Sequence, residues 1–306
     1  FLKKSYFSIP YFNIKSNLQI MEFSGIVKIT DLNDFLNPSA NCSVHSSMIK
    51  TSPTQTAQVS LSDCLACSGC VTSSSAVFLE QHSLEIFRKN LGQMRMAISL
   101  SQQTIFAISK YFSISPQEAF NKISGKLKSL GIERVLNMNL ARDISLNAAS
   151  QEFLERFKES RLPILCSECP GFVLFAEKKT DECILPCLSR IKTPMMIQIE
   201  INSLQDFYNV TVMPCFDKKL EAVMEKGVDL VLTTTELLEF LNENDFLNAI
   251  PDPEAPIFYS STKHKSGSLG YGEFIFIKAC EDLYGEIPTI EIKTTRRRDL
   301  LEMEYR

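Results

Sequence analysis

The sequence has 306 residues, 44% of them hydrophobic and 22% charged, the balance of a globular chain with a sizeable core. Its net charge of −4 argues against a dedicated nucleic-acid or anionic-membrane surface. No apolar run approaches the roughly 18 to 20 residues that span a bilayer, and no secretory signal with a cleavage site stands in it.

The ten cysteines are the outlier. Cys64, Cys67 and Cys70 crowd into one short run, a clustering that favours thiolate metal ligation in a reducing compartment over a disulfide framework.

In chain order, residues 1–20 carry Lys3, Lys4 and Lys15 without an acid and read as a leader or disordered segment. Met21 is the first plausible start, and an N-terminal cysteine region runs from 21 to 92. Within it, residues 41–62 are rich in Ser, Thr, Asn and Gln and read as a mobile loop. From 93 to 306 strands and amphipathic helices alternate. Arg95–Leu100 reads as a strand, followed by a helix through Lys110. Ser115, Pro116 and Glu118 form a capping box with proline at the first helical position, and the helix they open puts Phe120, Ile123, Leu127 and Leu130 on one face before Gly131.

Further strands are expected at Val135–Met138, Pro163–Cys166, Thr211–Met213, Val228–Leu232 and Thr289–Lys293. Helices are expected at Leu146–Glu159, after Thr233 and Glu236, and at Gly272–Tyr284. Strands separated by helices imply an α/β fold with a mostly parallel sheet, whose ligands bind beyond the carboxyl ends of the strands. Cys169 and Cys215 are expected there.

Cys64-Leu-Ala-Cys67-Ser-Gly-Cys70 carries the strongest chemistry. Two consecutive two-residue spacers let three thiolates converge on the corners of a cubane, and a [4Fe–4S] cluster needs four ligands. Cys42, in Pro38-Ser-Ala-Asn-Cys42, is the candidate fourth. Zinc is the alternative, although structural zinc sites usually draw on two separated pairs. Taken alone, Cys169 and Cys215 read as ordinary buried cysteines. Cys166, Cys183, Cys187 and Cys280 read as small packed hydrophobes, Cys183 and Cys187 sharing one face if they lie on a helix. His45, His82 and His264 share no ligand spacing and read as surface or loop residues. Gly267, Gly270 and Gly272 read as a flexible turn, and Arg296–Arg298 as a solvated run.

Several of these segments, in order, resemble one family. Asp31-Leu-Asn-Asp-Phe-Leu, Cys42 and Asp63-Cys-Leu-Ala-Cys-Ser-Gly-Cys resemble the amino-terminal cluster site of the cytosolic iron-only hydrogenase-like proteins, the nuclear prelamin A recognition factor-like family. Cys169-Pro-Gly-Phe resembles that family's first hydrogenase-type motif, and Val212-Met-Pro-Cys215-Phe-Asp-Lys-Lys-Leu-Glu221 its second. Ser266-Gly-Ser-Leu-Gly-Tyr-Gly-Glu-Phe is similar to its glycine-rich helix start.

The resemblance implies a small amino-terminal iron–sulfur region, then a hydrogenase-like α/β domain holding a second [4Fe–4S] cluster through Cys169 and Cys215. The other two ligands of that second site lie in a carboxy-terminal Cys-x-x-x-Cys motif that the family carries beyond the equivalent of residue 306, so the chain is expected to be a fragment. The implied function is a non-enzymatic, cytoplasmic and also nuclear adaptor in cytosolic iron–sulfur protein assembly. Its partners would be early scaffolds and a late targeting complex with a WD40-type propeller, with neither nucleic acid nor membrane among them. Hydrogenases carry a proton-relaying cysteine immediately before the first-motif ligand, where this chain has Glu168. Lys218 matches a lysine near their binuclear centre and is expected to be structural or electrostatic here. The rival readings are an iron-only hydrogenase or related electron-transfer oxidoreductase, and a zinc-stabilised interaction module.

Overall fold

The computed structural model describes residues 82–202, 204, 206–259, 270–287, 292–294 and 301–303. Cys42, Cys64, Cys67 and Cys70 lie outside them, as do His45, His264, Gly267 and Arg296–Arg298.

The described chain is organised around β1 (Met96–Leu100), whose five residues are all buried. A strand covered on both faces needs a near-continuous apolar run rather than an alternating one, and Met-Ala-Ile-Ser-Leu supplies it, with the one polar side chain, Ser99, bonded by Gln198. After β1 come α2 (Gln102–Tyr111), α3 (Pro116–Ser129), β2 (Arg134–Asn137) and α4 (Asn139–Lys158), with α1 (Leu84–Asn90) preceding the set. Then follow α5 (Pro170–Lys179), a 3₁₀ turn at Leu185–Cys187, α6 (Pro194–Ile201), β3 (Tyr208–Met213), α7 (Lys218–Met224) and β4 (Leu230–Thr233). The rest comprises α8 (Thr234–Leu241), α9 (Glu243–Leu247), α10 (Gly270–Tyr284), and the antiparallel pair β5 (Ile292–Thr294) and β6 (Leu301–Met303).

β1 to β4 form a parallel sheet in the order β2-β1-β3-β4. β1 leads outward to β2 on one side, and β3 leads outward to β4 on the other, so the winding reverses between β1 and β3. The period of two along each strand then divides the core. Ile98, Leu100, Val210, Val212, Leu230 and Leu232 pack with α1, α2, α3 and α8 on one face. Ala97 and Val231 pack with Met195, Met196 and Ile199 of α6 on the other. The sheet is therefore sandwiched between two helical layers, and the crevice past the ends of β1 and β3 is the place where such folds take ligands.

Most expected elements are present with small boundary shifts. Ser115 caps α3 with its hydroxyl accepting from the Glu118 amide, and Gly131 follows the helix at a positive φ of 90°. Thr233 and Glu236 close a full capping box at α8.

Three expectations are corrected. Residues 163–166 form no strand; Leu165 makes only an isolated parallel bridge to Leu188. α4 begins at Asn139, seven residues before the expected start, because its buried face is built from Asn139, Ala141, Ser145, Ala149 and Ser150, with Leu146 as the one large apolar side chain among them. α10 begins at Gly270, two residues before the expected start at Gly272, so Gly270 is helical rather than part of a turn.

Candidate metal centre

β3 delivers Met213 to the end of the sheet, Pro214 cannot extend the ladder, and Cys215 stands just beyond, beside the reversal in winding. The Lys218 amide donates to the Cys215 carbonyl at 3.3 Å, which turns the chain into α7. Cys169 arrives from a different direction, as the residue preceding α5 with Pro170 in the first turn. Its amide donates to the Ser167 hydroxyl at 3.0 Å, and that hydroxyl lies 3.3 Å from the Cys169 carbonyl.

Both thiols are exposed, a correction to their reading as buried cysteines. They also share one electrostatic neighbourhood. Burial of its surroundings pushes the Cys215 thiol up; the Asp217 amide opposes this, while the Asp217 carboxylate and Cys169 add to it. The Cys169 sulfur lies 3.9 Å from Asp217 Oδ2. Gly171 makes that approach possible, since a Cβ there would stand 2.9 Å from the same oxygen.

Two buried lysines open α7, just after Cys215 in the chain. Lys218, 4% exposed, binds Glu221 at 2.5 Å, and Glu221 also accepts from the Thr193 hydroxyl. Lys219 donates to the His82 carbonyl and to Glu236, both at 2.7 Å, and lies 4.8 Å above the Phe216 ring. Each ammonium is paired, as burial requires. His82, expected at the surface, is buried, and its Nδ1 accepts from the Val231 amide at 3.1 Å. Burial, then the Lys219 charge, hold its imidazole below the usual range.

Glu168 borders a cavity of about 20 Å³ that it shares with Cys166, Ser189, Lys192 and Tyr271, room for one water. One carboxylate oxygen of Glu168 is buried there without a hydrogen-bond partner. The Tyr271 phenol bonds Ser145 at 2.7 Å and is held strongly towards its protonated form by burial, then by Glu168.

Among the other described cysteines, only Cys280 packs as a buried residue; Cys183 is exposed, and Cys166 and Cys187 are half-buried. Cys187 closes the 3₁₀ turn and Cys183 lies two residues before its start, so the two do not share an α-helix face.

Among the described residues no group of three or more His, Cys, Asp or Glu side chains could hold a metal ion. Cys169 and Cys215 supply soft sulfur donors at neighbouring, accessible positions at the sheet end, which fits half of the four-thiolate set of a cubane. The sequence singled out both cysteines and Lys218 as candidates. It did not single out the roles of Thr193 and Asp217, which no motif spacing marks, or of Glu152 and Arg156, whose only signal is an i,i+4 pairing on α4.

Residues 94–304 match the family described as iron only hydrogenase large subunit, C-terminal domain. The chain is 33% identical to Protein NAR1 of Arabidopsis thaliana and 32% identical to cytosolic iron-sulfur assembly component 3 of Mus musculus, in each case over 92% of this chain and 73% of the relative. It is also 32% identical to a probable cytosolic Fe-S cluster assembly factor of Aedes aegypti over the same shares. Its fold is similar to that of an apo [FeFe]-hydrogenase from Chlamydomonas reinhardtii, with a TM-score of 0.55 and 20% identity, over 74% of this chain and 63% of the hydrogenase. The chain thus belongs to the iron-only-hydrogenase-like family, with the cytosolic iron–sulfur assembly proteins as its relatives.

Proposed function

We propose that this chain is a cluster-carrying component of cytosolic iron–sulfur protein assembly, and that it does no hydrogen chemistry. The observation that carries the reading is the similarity, over nearly all of the chain, to proteins named as cytosolic assembly components. In this reading Cys42, Cys64, Cys67 and Cys70 hold a first [4Fe–4S] cluster. Cys169 and Cys215 hold half of a second, its other ligands coming from beyond the described residues. A thiolate-bound cubane supplies one-electron redox chemistry and an iron–sulfur unit that can be held or passed on.

The protein's own contribution is geometric and electrostatic. The sheet end and the α5 start present two thiols at one surface. Burial pushes the Cys215 thiol up, and the charge of Lys218 acts against that shift, towards the thiolate that a metal ligand needs. Glu168 occupies the position before the first-motif ligand, and its buried oxygen faces a cavity sized for water rather than for a substrate. Partners in this reading are early scaffold proteins and a late targeting complex including a WD40-type propeller, met in the cytoplasm and the nucleus.

The hydrogenase fold favours one rival, an iron-only hydrogenase or electron-transfer oxidoreductase. Depletion and rescue with the reconstituted protein separates the two. The proposal expects loss and recovery of cytosolic iron–sulfur enzyme activity, with no hydrogen evolved from reduced methyl viologen. Hydrogen evolution at enzymatic turnover would establish the rival instead.

A further inference from the structure

We propose that residues 186–193 form a hydrogen-bonded strap that sets the positions of Cys169 and Cys215 together, and that Glu152 and Arg156 of α4 are its positioning residues. This rests on the reading of the two cysteines as thiolate ligands.

The strap touches both cysteine loops. At one end the Leu165 amide donates to the Cys187 carbonyl at 2.8 Å, and the Ser189 amide donates back to the Leu165 carbonyl at 2.9 Å. Leu165 is four residues from Cys169 along the chain, and Ser167 between them bonds the Cys169 backbone. At the other end the Thr193 hydroxyl binds Glu221, Glu221 grips the Lys218 ammonium at 2.5 Å, and the Lys218 amide holds the Cys215 carbonyl at 3.3 Å. Nothing else described joins the Cys169 loop to the Cys215 loop by so short a run of bonds, the contact of Cys169 with Asp217 apart.

α4 anchors the strap. Arg156 is 4% exposed, and its guanidinium donates to the Pro186 and Leu188 carbonyls, both at 2.8 Å, and to Glu152 at 2.6 Å. The other Glu152 oxygen accepts from the Ser189 hydroxyl at 2.5 Å, and the Arg190 amide points at both oxygens from 3.3 Å. The guanidinium fork and the Glu152 carboxylate, on one helix, thus hold Pro186, Leu188, Ser189 and Arg190 around the bridge to Leu165. A guanidinium does this because it presents several donors in one plane, which a lysine cannot match. Ser145 adds a second hold from the same helix, donating to the Lys192 carbonyl at 3.0 Å. Supports of this kind around ligands change metal affinity by about 10- to 100-fold when removed.

The test uses Co²⁺ as the probe, on the full chain with Cys42, Cys64, Cys67 and Cys70 changed to serine, read as the thiolate-to-cobalt charge-transfer band. The part of the band lost in a further Cys169→Ser, Cys215→Ser variant belongs to the candidate site. Arg156→Met and Glu152→Gln should each weaken Co²⁺ binding at that site by about tenfold or more. Their circular dichroism should be unchanged, and Arg156→Lys should recover part of the affinity. If Arg156→Met does not fold, Ser189→Ala removes a single strap bond and reads the same loss. Wild-type affinity in these folded variants would overturn the positioning role. Absence of any band dependent on Cys169 and Cys215 in the parent would instead overturn the ligand reading on which it rests.

Discussion

Cys67 stands at the centre of the Cys64, Cys67, Cys70 run, so in the proposed reading its loss would leave the amino-terminal cubane with too few thiolates. Cys67→Ala is expected to remove the iron of the amino-terminal site and to destabilise that region, since metal binding and folding are coupled there. Cys183→Ala is the contrasting case: its thiol is exposed beside a 3₁₀ turn, and iron content should not change. Iron measured by colorimetry on both variants checks the assignment, and iron loss in the second would show the ligands to be wrong. His82 makes a prediction about pH. Its folded-state value lies below the ordinary 6.5 because burial and Lys219 disfavour the charged ring. The unfolded chain therefore binds the proton first, so stability is intact above pH 6.5 and falls as pH drops below it. Denaturant titrations between pH 7.5 and 5 should show that fall in the wild type and a shallower one in His82→Gln.

At the scale of elements, α3 contains an apparent fault. Gly125 lies within the helix, where glycine costs about 1 kcal/mol relative to alanine. A Cβ at that position would stand 1.9 Å from the Ile250 carbonyl, and Asp252 next to it bonds Ser124 and Lys128. Gly125→Ala should therefore destabilise the protein despite its better helix propensity, and an unchanged or raised Tm would show that the 250–252 segment can move away. Phe120, fully buried in the same helix, should cost about 3–5 kcal/mol when cut to alanine, measured by urea unfolding.

The legibility of each element follows from the same physics. β1, β3, α3 and α8 were readable because apolar runs, stripes and caps mark them directly. The first two turns of α4 were not, because the face they bury carries small and polar groups that make no hydrophobic stripe. The strand expected at 163–166 is absent because its apolar Pro-Ile-Leu-Cys run finds no ladder partner, and the chain there makes one bridge to Leu188. Cys169 and Cys215 were recognisable through motif resemblance, but their exposure was not, since it depends on α5 and α7 meeting around Asp217 and Gly171. The Glu152–Arg156 anchor was hidden in an ordinary i,i+4 pair. Only the fold brings the Pro186 and Leu188 carbonyls to it.

For the whole molecule, the order β2-β1-β3-β4 places the reversal in winding beside Cys215, and the strap brings Cys169 to the same end of the sheet. The fold is that of a hydrogenase, while the relatives over nearly the full chain are named for cluster assembly. The central claim is that this sulfur-rich chain holds iron and sulfide. The most direct test is iron, acid-labile sulfide and zinc content of anaerobically reconstituted protein, with low-temperature electron paramagnetic resonance after reduction. The account predicts iron and sulfide in equal amounts, about four of each per chain for one cubane, with a reduced-cluster signal. About eight would mean that the chain itself completes the second site. Zinc without sulfide would contradict the account and leave a zinc-stabilised interaction module in its place.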